Sequence, residues 1–185
     1  MKKFLLTVLL LIVSTMLFSA KKGGVTMPNK LKIKGKTLVL NGLGIREATI
    51  FNVDVYVAGL YLEKKSSNAS SIINSGGLKY IKIKFVRAVD RSDITDAWKK
   101  AFKKVVGRRY NKVYKSRVEK LNSYMTKTKV GTITAYAFSK DGVDVWLNGR
   151  KKGSIKGKDF SKAMLSIWLG SSPPNSGLKR GMLGK

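Results

Sequence analysis

The sequence predicts an α+β fold: one antiparallel sheet with helices packed on one of its faces. Three observations point there. Segments near both ends of the chain alternate apolar and polar residues with the period of a strand. A block in the middle repeats its apolar residues every three or four positions. The alternating segments are joined by short turn sequences, which suits antiparallel rather than parallel pairing.

The elements follow in order. Leu31 to Leu40 reads as one or two strands, and Asn41-Gly42-Leu43-Gly44 as a turn after them. A second extended segment spans Ile50 to Leu62, with Phe51, Val53, Val55 and Val57 expected on one face and Asn52, Asp54, Tyr56 and Ala58 on the other. Lys64 to Gly77 is a Ser-, Asn- and Gly-bearing connection with room for a short helix. Ile81, Ile83 and Phe85 then alternate with Lys82 and Lys84, the mark of a strand with one wet face.

The helical block is the clearest stretch. Ile94, Ala97, Trp98, Ala101, Phe102, Val105 and Val106 form one apolar stripe, and Asp90, Ser92, Asp93 and Asp96 crowd its start, where negative charge suits the helix dipole. Gly107 offers a stop or bend before a second stripe of Tyr110, Val113, Tyr114, Val118 and Leu121. Strands over Thr132–Phe138 and Val143–Leu147 flank an Asp141-Gly142 hairpin signal, and Asn148-Gly149 turns into a basic strand. Asp159 is placed to cap a helix carrying Phe160, Met164, Ile167 and Trp168, with Gly170 as its stop. Pro173-Pro174 and a short final helix complete the chain.

Ahead of these elements, Met1-Lys2-Lys3 and the apolar run from Phe4 to Phe18 have the form of a signal sequence. The expected organisation is a signal peptide over 1–20, a linker over 21–30 and one domain over 31–185. Cleavage after Ala20 would leave Phe18 where a small residue is usual, so an uncleaved anchor also fits. Either way the protein is expected to be exported, periplasmic or secreted.

The chain of 185 residues contains neither cysteine nor histidine. That removes disulfides, thiolate nucleophiles, zinc sites built on those residues and imidazole acid–base chemistry. No cofactor or metal site is expected. Lys and Arg number 38 against 10 Asp and Glu, a net charge of +28. Such a charge favours polyanions, whether anionic lipid, acidic glycan or nucleic acid. Nucleic acid is the least supported, because no recognition motif accompanies the charge.

Three segments together resemble the chalcone isomerase-like family in its bacterial exported branch. They are Leu40-Asn41-Gly42-Leu43-Gly44-Ile45-Arg46 with Val55-Tyr56-Val57-Ala58-Gly59-Leu60-Tyr61-Leu62; Trp146-Leu147-Asn148-Gly149-Arg150 leading to Gly157-Lys158-Asp159-Phe160; and Ile167-Trp168-Leu169-Gly170, Pro173-Pro174 and Leu178-Lys179-Arg180-Gly181-Met182-Leu183-Gly184. The resemblance implies an open-faced β-sandwich, with a ligand cleft between sheet and helices. It implies that Arg46 is the cleft arginine, which grips a substrate oxyanion in the enzymes and a carboxylate in fatty-acid binders. At Tyr56 the plant enzymes carry a catalytic threonine, whereas the fatty-acid binders carry tyrosine. Tyr114, Asn122 and Thr128 have types suited to the enzymes' other cleft positions, but no motif fixes them there.

The expected function is therefore binding of a small apolar acid such as a fatty acid, with Arg46 and Tyr56 as ligand-binding residues and no catalytic residue assigned. The alternatives are an intramolecular lyase of the chalcone isomerase type, or a basic protein that docks on an anionic membrane surface or glycan.

Overall fold

A computed structural model describes residues 19–48 and 53–185. Most of the expected leader, and Ile50, Phe51 and Asn52 of the second extended segment, lie outside the described residues. Seven strands form one antiparallel sheet in chain order: β3 (Lys30–Ile33), β4 (Lys36–Ala48), β5 (Val53–Leu62), β6 (Lys79–Phe85), β7 (Ile133–Ser139), β8 (Gly142–Leu147) and β9 (Arg150–Lys156). Each strand pairs with the next, so each helical excursion returns the chain to the adjacent position in the sheet. Asn148-Gly149 turns β8 into β9 with both residues at positive φ, 47° and 79°. That is the backbone an Asn-Gly hairpin favours.

One face of the sheet carries α2 (Arg91–Val106), a π-helical turn (Tyr110–Tyr114), α3 (Lys115–Ser123) and α4 (Lys158–Leu169). The helix stripe packs as its spacing predicts: Trp98, Phe102 and Val106 are buried on α2, against Ile81, Ile83 and Tyr136 of the sheet. Phe102 stacks on Phe160 with ring centroids 4.9 Å apart, which ties α2 to α4. The remaining helices among the described residues are α1 (Ala69–Asn74) and α5 (Ser176–Met182). Asn68 caps α1 by accepting from the Ser71 amide.

Four sequence-level expectations are corrected. The segment over 21–30 is not a free linker: β1 (Ser19–Lys22) and β2 (Val25–Pro28) form a hairpin whose Val25 and Met27 are buried. These two join Leu38, Leu40, Leu43, Val57 and Tyr61 in a second apolar cluster on the sheet face away from the main helices. Turn-like residues at Asn41–Gly44 do not turn either, since β4 runs straight through them with a bulge between Leu40 and Gly42. The expected face assignment along β5 fails at a second bulge between Arg46 and Glu47, so Val55 packs on the helix side while Val57 does not. Asp159 lies inside the first turn of α4 rather than at its cap, which is Gly157, and its carboxylate is held by Arg117 at 2.6 Å.

The glycines of that turn-like stretch serve contact instead. A Cβ on Gly42 would fall 2.1 Å from the Gly181 carbonyl oxygen, and one on Gly44 would fall 2.2 Å from that of Leu178. A Cβ on Gly181 would reach the Leu43 carbonyl at 2.2 Å. Helix α5 therefore lies backbone to backbone on β4, and Asn41 secures the contact by donating to the Met182 carbonyl at 2.9 Å. Gly181→Ala should destabilise the protein by about 1–3 kcal/mol in urea unfolding, although alanine favours a helix by ~1 kcal/mol over glycine. Gly177→Ala on the same helix, whose added Cβ meets nothing closer than 3.6 Å, should be neutral or mildly stabilising. Equal effects at the two positions would contradict the close approach.

Candidate functional site

Between the sheet and the helix layer the packing does not close. Beside α2 a cavity of about 460 Å³ remains, within the ~300–1,000 Å³ usual for small-molecule sites. Its floor is Ile83 and Phe85 of β6 with Thr134 and Tyr136 of β7; its roof is Ile94, Trp98, Ala101 and Val105 of α2. Ile167 and Trp168 of α4 close the inner end, and Pro173-Pro174 forms part of the rim. The lining is mostly apolar because α2 and α4 turn their buried stripes toward the sheet, while Asp93, Lys100 and Lys104 of α2 stand exposed at the border.

Arg46 and Tyr56 are direct cross-strand partners on β4 and β5, and both line this cavity. The bulge just past Arg46 brings Val55 into the same wall. Arg46 is half-buried and uses one guanidinium nitrogen to donate to the neighbouring Glu47 carbonyl, which steadies the side chain at the strand end. The Trp168 indole N–H donates to the Tyr56 oxygen at 3.2 Å. With an acceptor lone pair engaged in this way, the phenolic proton of Tyr56 stays available to a ligand.

Burial pushes the Tyr56 phenol above its ordinary pKa, and the Trp168 bond and the Arg46 charge only partly oppose it. The group is therefore a neutral donor at any physiological pH. Tyr136, beside Tyr56, is likewise raised by desolvation. Trp98 holds Tyr136 and Trp168 edge-on, at 5.7 and 5.5 Å between ring centroids. These rings make the inner wall rigid. The Thr134 hydroxyl, buried in the floor, has no hydrogen-bond partner of good geometry among the described residues. A ligand polar atom could occupy it.

Of the residues left unplaced by sequence, Thr128 lines the cavity, its hydroxyl accepting from the Val89 amide at 3.1 Å. Tyr114 lies instead in the core beside Phe102 and Phe160, and Asn122 is buried where it donates to the Thr95 carbonyl at 3.3 Å. Sequence reading missed Tyr136, Thr134 and Trp168 as wall residues. The alternation in Thr134-Ala135-Tyr136 put the first and third on one face, but nothing in that pattern marks the place where the helix layer stands off.

Comparison with known proteins adds three findings. Residues 19–184 match a family described as chalcone isomerase-like. The fold is similar to the crystal structure of a fatty-acid binding protein of Arabidopsis thaliana, with a TM-score of 0.72 and 16% identity, covering 90% of this chain and 96% of that one. No curated protein matches the sequence significantly.

The buried phenols set an alkaline limit. Desolvation raises Tyr56, Tyr61 and Tyr136 and pushes Tyr80 up to about 12. Their stabilisation is complete below the unfolded value of ~10 and is lost as pH rises through the folded values. Unfolding and tyrosinate absorbance should therefore rise together above about pH 10. Ionisation of these four phenols at the ordinary value of about 10 in the still-folded protein would contradict the burial.

Proposed function

The chain belongs to the chalcone isomerase-like family, and from that premise we propose that it binds a small apolar acid, such as a fatty acid, in the cavity beneath α2. The observation that carries this reading is the cross-strand pair of Arg46 and Tyr56 in the wall of an otherwise apolar cavity. A guanidinium and a neutral phenol side by side present donors to one carboxylate, while Ile83, Phe85, Ile94 and Val105 accept the chain. The structurally similar plant protein is a fatty-acid binding protein, in line with such a ligand.

The energetics make the head group decisive. Each buried methylene contributes ~0.8 kcal/mol, so twelve give roughly 10 kcal/mol, against an association cost of ~4–15 kcal/mol. A charge-assisted bond adds ~1.5–3 kcal/mol, enough to separate measurable from negligible affinity. The Phe4–Phe18 run supports export of the protein to an envelope or extracellular compartment, where acyl chains need a carrier shielded from water.

Arg46→Ala should weaken laurate or palmitate binding by about 10-fold or more in calorimetric titration, in line with one charge-assisted bond. Arg46→Lys should recover only part of that, because an ammonium lacks the planar fork. Tyr56→Phe should have a smaller effect, the size of one neutral hydrogen bond. Unchanged titrations in all three variants would overturn the anchor. Cyclisation of a chalcone by the unmodified protein, lost in Arg46→Ala, would favour the isomerase reading instead.

A further inference from the structure

On the sheet face away from α2 and α4 lies a second, smaller cleft of about 380 Å³. The β3–β4 hairpin folds over this face, so that Lys32, Ile33 and Lys34 stand opposite Tyr80 and Lys82 of β6, Ala135 of β7 and Trp146 of β8. Register explains the shape. Lys82 pairs with Ala135, and Ala135 pairs with Trp146, so a small side chain separates a long cation from an indole. The result is a notch floored by a buried alanine and walled by an aromatic ring on one side and an ammonium stem on the other. Tyr80 stands edge-on to Trp146, with ring centroids 6.0 Å apart, and extends the aromatic wall.

The charges in this cleft are unevenly matched. Asp144 engages Lys34, and engages Lys151 at 3.1 Å, while Lys151 also sits 5.8 Å from the centre of the Trp146 ring. Lys82 is half-buried in the cleft, yet among the described residues its ammonium makes no ion pair and no hydrogen bond. Desolvation, with the like charge of Lys84, lowers its pKa. A cation held this way gains from any anion that enters. None of the described residues lining the cleft is acidic.

We infer that this cleft is a second binding site, separate from the Arg46 cavity, for a ring compound bearing a carboxylate. The ring would lie over Ala135 against Trp146, and the carboxylate would meet Lys82. Sugar acids and aromatic acids share this chemistry, since either ring face packs on an indole and either acid pairs with an ammonium.

The chain's three tryptophans give the test a built-in address. Trp146 lies in this cleft, whereas Trp98 and Trp168 line the other cavity. The full-length, ¹⁵N-labelled chain would be titrated with glucuronate and, separately, with 4-hydroxybenzoate while the three indole N–H signals are followed, Trp146→Phe assigning its own. At least one acid should shift the Trp146 signal saturably with a Kd near or below about 1 mM, leaving Trp98 and Trp168 in place; the acid that does so identifies the source. Lys82→Met should weaken this binding about 10-fold, the size of one lost charge-assisted bond, and Ala135→Leu should fill the notch and abolish it. Arg46→Ala should leave it unchanged. The inference fails if neither acid moves Trp146, if Lys82→Met binds as well as the unmodified chain, or if glucose and 4-hydroxybenzyl alcohol bind as tightly as the acids. The Lys82→Met comparison decides the matter even should leucine at position 135 prevent folding.

Discussion

The aromatic contact among Trp98, Tyr136 and Trp168 is the constraint on which the rest of the structure depends. It joins α2, the centre of the sheet and α4 at one point, with ring centroids 5.5–5.8 Å apart. Below it, Phe102, Phe160 and Tyr114 fill the space between the layers. Above it the layers diverge, and the space left open is the cavity that Arg46 and Tyr56 line. Trp168 serves both parts, because its ring packs in the core while its N–H fixes the Tyr56 oxygen. Rigid packing on one side of these rings thus orients a polar pair on the other.

The two sheet faces meet different demands with the same strands. On β6, Ile81, Ile83 and Phe85 face the helices, and Tyr80 and Lys82 face the β1–β2 hairpin and the second cleft. Tight backbone contact of α5 on β4, permitted by Gly42, Gly44 and Gly181, fixes the strand that carries Arg46. The site's geometry therefore rests on glycines with no chemistry of their own.

Much of this was legible in the sequence, and for physical reasons. Strands β6 to β8 and helix α2 declare themselves because burial on one face imposes a period, and Trp98 and Phe102 lie where the stripe puts them. Gly42 and Gly44 misled, since a glycine demanded by a neighbouring backbone looks in sequence like a glycine demanded by a turn. Local pattern could not find the β1–β2 hairpin either: only two of its residues are buried, and their partners Leu38 and Val57 come from other strands. The family resemblance brought Arg46 and Tyr56 forward, while Tyr136 and Thr134 needed the three-dimensional gap between α2 and the sheet to be seen as wall residues.

The central claim is that the cavity beneath α2 holds an apolar acid with its head group at Arg46 and Tyr56. Native mass spectrometry of the full-length chain tests it most directly. The expected result is a population carrying one small acidic amphiphile per chain, or quantitative uptake of one added laurate, with the adduct lost in Arg46→Ala. A bare chain that takes up no fatty acid, or an adduct that persists undiminished in that variant, would contradict it.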